Sequence, residues 1–491
     1  MNVAIIVRNE QKGLYSSIGK LIAERWHVRF IVDNRDAATV IRRICGSPCP
    51  EILEEPDYRT LPTPRPNSTS TALLNEKTFG MTYSEILSRD RALGRGYYPN
   101  IDGYPKIYRS EWSKTQKFEV IHRKFEFFTN ALTGADYVIS QFPETIPNLI
   151  CDHFSIGHFH LLQARLGSLM LWSDSSAFYS KRYQESLQGC LNDAPSTTPL
   201  ENSNPTINFK PDSGGTQRLA SMLEFWQLPN LLLFILYQLI RRSLLKLLGR
   251  GKKNSYRSFD WLFTVIRGYR DYRYLGKIST RLKEMRGERF VFFPLHMEPE
   301  LMLLDYSNYF NNVFEAVVYI SKALPADTTL VIKEQPKVLG HRSRKFYELL
   351  NMLPNVVFCA LDESSLDWIA DAELVITIAG TAGEEAVRMG VPVVTFGQNQ
   401  VINELPTVFF VDSHSTCKKA ITRILDGNLR SDELVRAREA LNAATKQVSF
   451  PFPDYVSLFT ADYPCLEHAR NSIRELVKAY PELSHLENVL D

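Results

Sequence analysis

Three stretches of this sequence concentrate side chains that apolar packing does not call for. Pro294-Leu-His-Met-Glu-Pro-Glu presents His296, Glu298 and Glu300, and Lys333-Glu-Gln-Pro-Lys-Val-Leu-Gly-His-Arg brings Lys333, Glu334, Gln335 and Arg342. Ile378-Ala-Gly-Thr-Ala-Gly-Glu-Glu follows Thr377 and carries Gly380, Thr381, Gly383, Glu384 and Glu385. Lys333 and Arg342 can neutralise a phosphate, and Thr377 and Thr381 can offer hydroxyls. A small-residue turn running into a helix leaves backbone N–H groups unpaired, which is where phosphates bind. Any one of these signals is weak, because turn glycines occur in every doubly wound sheet and a lone histidine is more often structural. Their coincidence carries the reading.

The elements that must position these groups are legible around them. Residues 290–293, 329–333, 355–359, 374–378 and 392–396 are short apolar runs of the kind buried in a parallel sheet. Between the first two, Phe310, Val313, Phe314, Val317 and Leu324 fall at helical spacing. Strand and helix alternate, so residues 276–430 form a doubly wound domain whose strand ends share one edge. A second such domain opens the chain over residues 1–190. Residues 3–7, a helix over 14–26 and residues 28–32 read as β-α-β, and no G-x-G-x-x-G follows, which argues against dinucleotide binding. Phe118, Ile121, Phe125, Phe128 and Leu132 define the core face of a helix. The strand at 137–140 leads into Gln141-Phe-Pro-Glu-Thr, where Glu144 is either an acid/base group or a carboxylate favouring a helix N-terminus. Residues 51–70 read as a long loop, and residues 89–109 mix Arg, Tyr and Gly in a pattern that suits sugars and anions or a solvated connector.

With 491 residues and 44% hydrophobic content the chain has ample core, and its net charge of +2 gives no support to a nucleic-acid partner. Seven scattered cysteines read as reduced thiols in a cytosolic protein, and the start of the chain has no signal-peptide pattern. Residues 191–275 form a linker. Residues 192–217 are a polar, Pro- and Ser-rich insertion, after which residues 228–240 are strongly apolar and end on Arg241, Arg242, Lys246, Arg250, Lys252 and Lys253. That run is too short to span a bilayer and fits either a helix lying on an anionic inner membrane face or a buried interdomain helix. Residues 431–491 hold helices expected to pack back on the first domain.

Residues 292–300, Lys333-Glu-Gln-Pro with Gly340-His-Arg, and Gly383-Glu-Glu-Ala with Gly390-Val-Pro-Val resemble the bacterial capsule polysaccharide biosynthesis family, which includes Kdo transferases. The resemblance runs from about residue 289 to 400, and Asp90-Arg-Ala-Leu-Gly-Arg-Gly-Tyr is similar to a stretch in the N-terminal half of such proteins. It implies an α/β GT-B-like fold, two Rossmann-like domains facing a cleft, with a nucleotide sugar held mainly by the C-terminal domain. CMP-Kdo is the donor in the Kdo branch. Gln335 stands where the relatives carry His, keeping a hydrogen bond but not a positive charge.

On that basis the expected donor-binding set is Glu300, Lys333, Gln335, Arg342, Thr377, Gly380, Thr381, Gly383 and Glu385. Lys333, Arg342, Thr381 and the turn N–H groups would stabilise the leaving phosphate, His296 would assist departure or orient the donor, and Glu385 would hold a hydroxyl. Glu144 would serve as acceptor base or nucleophilic carboxylate, with Asp260 a weaker candidate. Neither a metal nor another cofactor is expected, since no Asp-x-Asp is present. The acceptor is a surface glycan or its lipid-linked precursor. A sugar-nucleotide epimerase and a non-catalytic capsule assembly or export component are the competing readings.

Overall fold

The computed structural model describes residues 1–8, 11–56, 63–90, 112–175, 180–193, 223–247, 260–298, 303, 307, 310, 312–453, 458 and 461–489. Among these residues the strands form two sheets. The first holds β1 (Asn2–Val7), β2 (His27–Val32), β3 (Glu51–Glu54), β4 (Tyr137–Ser140), β5 (Gly157–Gln163), β6 (Leu169–Ser173) and, from the far end of the chain, β14 (Phe450–Pro451). Their order is β3-β2-β1-β4-β5-β6-β14, parallel up to β5 and antiparallel at β6 and β14. The second holds β7 (Ser279–Thr280), β8 (Arg289–Pro294), β9 (Thr328–Lys333), β10 (Val356–Cys359), β11 (Leu374–Thr377), β12 (Val393–Thr395) and β13 (Val408–Phe410). It is parallel throughout, in the order β13-β12-β11-β8-β9-β10-β7. The chain is therefore an α/β protein of two Rossmann-like domains.

Both sheets follow from their sequences. Val3–Val7 of β1 and the central strands β8, β9 and β11 are buried nearly throughout, as strands covered on both faces must be. The covering helices begin where the sequence supplies caps. Asn34 accepts from the Ala37 N–H at 2.9 Å before helix Arg35–Cys45, and Asn312 caps helix Val313–Ala323 in the same way. Ser113 and Gln116 make a capping box for helix Lys114–Leu132.

Each sheet has one place where the winding reverses. In the first, β1 leads outward to β2 and β3, and β4 returns to the other side of β1. In the second, β8 leads to β9 and β10, and β11 returns beside β8. The carboxyl ends of β1 with β4, and of β8 with β11, are thus the two crevices where a doubly wound sheet can admit a ligand.

The two crevice edges face each other. The turn after β5 lies at the carboxyl edge of the first sheet, and its Arg165 reaches Glu384 in the helix that follows β11, N to O 3.5 Å. Helix Ser431–Val448 packs between helices Lys181–Asp193 and Thr381–Arg388, with the Tyr183 and Thr445 hydroxyls 2.5 Å apart and Arg388 donating to Asn442 and Thr445. Beyond it β14 joins the first sheet, and helix Leu466–Ala479 lies on helix Lys12–Ile22, where Trp172 Nε1 donates to the Ser472 carbonyl at 2.8 Å.

One expectation changes. Residues 51–70 are not one loop: Ile52 and Leu53 pair β3 against β2, Arg29 binding Glu51 at 2.7 Å, and helix Ser68–Phe79 follows. The apolar run at 228 forms helix Leu228–Leu247, which takes in Arg241, Arg242 and Lys246 at its basic end. Arg and Lys favour the negative end of a helix and extend it. β5 and β6 were not among the strands read from the sequence, and in β5 His158, His160 and Gln163 interrupt the apolar pattern. Residues 91–109, 194–217 and 248–253 lie outside the described residues.

Candidate functional site

At the β8/β11 crevice, Leu374–Thr377 runs into Ile378-Ala379-Gly380 and then helix Thr381–Arg388, whose N-cap Gly380 offers no side chain. The first-turn N–H groups of Thr381, Ala382 and Gly383 therefore have no capping acceptor, and Thr381 is exposed. His296, three residues from the end of β8 region Phe293, sits against this turn. Its Nε2 accepts from the Ala379 N–H at 3.2 Å and lies 3.3 Å from the Thr377 hydroxyl, which itself accepts from the Gly380 N–H at 3.0 Å. Nε2 is thus the bare nitrogen, Thr377 donates to it, and the ring proton resides on Nδ1. Nδ1 is buried, and the ring's backbone acceptor is the Pro294 carbonyl. Burial, followed by the charges of Arg342 and Arg165, pushes His296 down to about 3, with only the Pro294 carbonyl opposing. The ring is held neutral and fixes the turn as an acceptor. A Cβ on Gly380 would sit 3.0 Å from both His296 Nε2 and Thr377 Oγ1, so this position must be bare for the ring to reach the turn. Gly383 serves packing instead: a Cβ there would lie 2.8 Å from Ile402 Cδ1 and 3.0 Å from Thr377 Cγ2.

The basic residues expected on the phosphate are not there. Arg342, 1% exposed, donates to Glu334 at 2.8 Å, to Glu298 and to the His296 carbonyl. Burial opposes its charge, but Glu334 and Glu298 more than offset this and raise it above the ordinary guanidinium value. Its part is to lock the 296–298 loop to β9, and no donor of its fork points at solvent. Lys333 likewise turns to the neighbouring β10 loop, where its ammonium meets the carbonyls of Ala360, at 3.2 Å, and Glu363. Thr377 spends its hydroxyl on the turn and on His296 rather than on a ligand. Sequence alone placed these groups at the right strand ends but could not show which way they turn.

Of the others, Gln335 follows β9 and its Nε2 approaches the Leu295 carbonyl at 3.4 Å, beside the His296 loop. Glu385 is buried within helix Thr381–Arg388. Glu300 lies outside the described residues, and Asp260 opens helix Asp260–Ile278 with its side chain outside the description. The cation that does stand beside the turn is Arg165, which no strand or motif signal marked. It holds φ +54°, a left-handed conformation costly for a side chain of this kind, and its field lowers His296.

The β1/β4 crevice is built differently. Glu144, at the N-cap of helix Thr145–Phe154, takes two hydrogen bonds from Arg8 at 2.6 Å each, without capping that helix through its side chain. Arg8 also meets Glu55 at 2.5 Å. Burial opposes the charge of Arg8, and Glu144 and Glu55 outweigh it. Asp33, after β2, joins the group, and Lys124 with Asp90 closes it, N to O 3.1 Å. Two cations face four carboxylates, so the edge is acidic. Burial raises the carboxyls of Glu55 and Asp33 above their usual range. Close by, Gln11 and Gln141 are buried with side-chain amide atoms lacking partners. Of this cluster the sequence pointed only to Glu144 and, within a longer segment, Asp90. Arg8, Asp33 and Glu55 end three successive strands, which was the available signal.

With two Rossmann-like domains whose carboxyl edges face each other, the architecture is GT-B-like. A scan against protein-family models finds no match, and a search of curated proteins finds none. Among solved structures the chain is similar to a glycotransferase of kitacinnamycin, at 12% identity and TM-score 0.28 over 96% of this chain and 98% of that one. A β-Kdo 2,7-transferase, KpsC, of Thermosulfurimonas dismutans matches at 14% identity and TM-score 0.30 over 67% and 88%. The UDP-GlcNAc 2-epimerase of Methanocaldococcus jannaschii matches at 13% identity and TM-score 0.28 over 90% and 98%. Similarity this low carries no functional argument.

Proposed function

We propose that this chain is a glycosyltransferase of the capsule polysaccharide type, moving a sugar from a nucleotide donor to a surface glycan or its lipid-linked precursor. The observation that carries the reading is the β8/β11 crevice, where the uncapped N-terminus of helix Thr381–Arg388 is held in place by the neutral ring of His296, with Arg165 beside it. This is an anion cradle made of preorganised donors, suited to the diphosphate or phosphate that departs when a glycosidic bond to a nucleotide breaks. Arg165 supplies the adjacent positive charge, and it comes from the opposite domain. The sequence resemblance favours a CMP-sugar, with CMP-Kdo as the specific donor, and Gln335 beside the His296 loop is the position at which that preference would be altered.

The acidic β1/β4 edge repels an anionic donor and suits the acceptor. As the acceptor hydroxyl attacks the anomeric carbon, its proton needs a base, while the nucleotide leaves with the bonding pair into the donors opposite. Glu144 and Glu55 stand where that proton would go. Burial raises the proton affinity of Glu55 above the usual carboxylate range, and Glu144 is the more exposed of the two. A metal has no assigned part. A lipid-linked acceptor places the reaction at the cytoplasmic face of a membrane.

The test is thermal stabilisation by CMP, UDP and GDP, since a ligand held by the native state raises the melting temperature. CMP is expected to stabilise the protein, and Arg165→Ala is expected to weaken nucleotide binding by about tenfold, the loss of one charge-assisted contact. Stabilisation by UDP or GDP alone removes the Kdo donor and keeps the transferase. If a folded sample responds to none of the three, the reading fails in favour of an assembly component. An epimerase would instead convert its nucleotide sugar with no acceptor present.

A further inference from the structure

Helix Leu228–Leu247 presents a surface that neither crevice uses. One side is anchored: Leu231 is buried in the core of the second domain, and Phe225, Trp226 and Ile235 pack with it. The opposite side is apolar and uncovered. Leu228, Leu232, Leu236, Ile240 and Leu244 recur every four residues, the spacing of a ridge along a helix, and all five are exposed. Leu233 and Tyr237 lie beside the ridge at 65% and 58% exposure. The outward face of an ordinary surface helix is polar, so this one is inverted. It is twenty residues long, about 30 Å at the helical rise.

Charge identifies what covers it. The helix contains no Asp or Glu, while Arg241, Arg242 and Lys246 occupy its last two turns and Arg250, Lys252 and Lys253 follow in sequence. No helix among the described residues is long and apolar enough to cross a membrane. A second copy packed on the ridge would bring Arg241 onto a helix without a single carboxylate, leaving a desolvated cation uncompensated. Anionic phospholipid supplies both missing components, acyl chains for the leucines and headgroups for the basic end.

We infer that helix Leu228–Leu247 docks the protein, lying flat, on an anionic lipid surface. The inference rests on the proposed function only for why lipid should be near; the surface itself stands on exposure and charge. Leu231 and Ile235 face inward and fix the rotation of the helix, so the leucine ridge enters the headgroup boundary while Arg241 remains at its level. The exposed Phe263 and Ile266 of helix Asp260–Ile278 add apolar area on a neighbouring element, where Gly268 lies against Trp226.

Co-sedimentation of the full chain with vesicles of phosphatidylcholine alone, or mixed with phosphatidylglycerol, tests this. The chain is expected to pellet with the mixed vesicles, at least about tenfold more weakly with the neutral ones, and less at high salt. Leu232→Glu combined with Leu236→Glu is expected to abolish binding without lowering the melting temperature, because both side chains are exposed. Arg241→Glu should weaken it several-fold. The inference is overturned if the wild-type chain stays in the supernatant with anionic vesicles, or if the double variant binds as well as wild type. It is equally overturned if ultracentrifugation shows a wild-type dimer that the double variant converts to monomer, since the ridge is then a dimer interface. Nucleotide stabilisation measured on the same samples separates the failures: a nucleotide response without vesicle binding removes the lipid surface and leaves the transferase.

Discussion

The two crevices arise from the same winding rule and have opposite electrostatics. At β1/β4 ionisable groups gather, Arg8, Asp33 and Glu55 after strands, Glu144 before a helix, and the pair Lys124 and Asp90 from the helices above. At β8/β11 the charges are sealed inside or paired, with Arg342 consumed by Glu298 and Glu334 and Glu384 facing Arg165, and what the turn itself offers is neutral: backbone N–H groups held by the His296 ring. The difference teaches how one fold serves two partners. A carboxylate-rich edge can take a proton from a hydroxyl, whereas preorganised dipoles can receive an anion without a charged side chain having to be desolvated with it. Arg165 is the exception that joins them, a charge built on the first edge and placed on the second.

Breaking the sealed pair has the largest expected effect. Arg342→Ala leaves two buried carboxylates uncompensated, a loss of about 3–5 kcal/mol, and denaturant melts should show it unfolded or nearly so. Arg8→Ala, with Glu144 partly exposed, should cost clearly less. Glu55→Gln and Glu144→Gln address the acidic edge: whichever carboxylate is the base should lose about 10²–10⁴-fold in turnover of nucleotide sugar with acceptor, with nucleotide affinity unchanged. Equal, small losses from both would move the base elsewhere. His296→Ala removes the acceptor that fixes the Ala379–Gly380 turn and should lower turnover about 10²-fold by misplacing its N–H groups, with His296→Asn retaining part of it. Because His296 titrates near 3, the pH profile of turnover above 5 should be the same in wild type and His296→Asn.

The smallest effect, when confined to the window from about pH 7 to 5, is on stability. His296 and His160 are both pushed down to about 3, chiefly by burial. The unfolded chain takes up those protons at about 6.5 while the native chain refuses them, so stability is full above that value and declines as pH falls toward 3. The slope is about 1.4 kcal/mol per pH unit for each such histidine once the unfolded form is protonated. Melting curves between pH 7 and 5 should flatten in His160→Asn.

Much of the second domain was legible because its strands are uninterrupted apolar runs and its turn carries Gly380 and Gly383. The convergence of His296 with that turn also followed from reading strand ends as one edge. The directions of Lys333, Arg342 and Thr377 were not legible, because a cation at a strand end satisfies the same pattern whether it meets a ligand, a carbonyl or a buried carboxylate. Arg165 and Glu55 were hidden for another reason: β5 and β3 are short or broken in their alternation, so the turns after them did not register as crevice positions. Glu298 and Glu334 stood out in the sequence only as polar residues that packing did not explain, and their pairing with Arg342 makes them scaffold.

The central claim is the division of labour between the two edges, and calorimetric titration of CMP into wild type, His296→Ala, Arg165→Ala and Glu144→Gln tests it most directly. The account predicts weaker CMP binding in His296→Ala and Arg165→Ala and wild-type affinity in Glu144→Gln. Weakened binding in Glu144→Gln, with the other two unchanged, would contradict it and put the nucleotide on the β1/β4 edge.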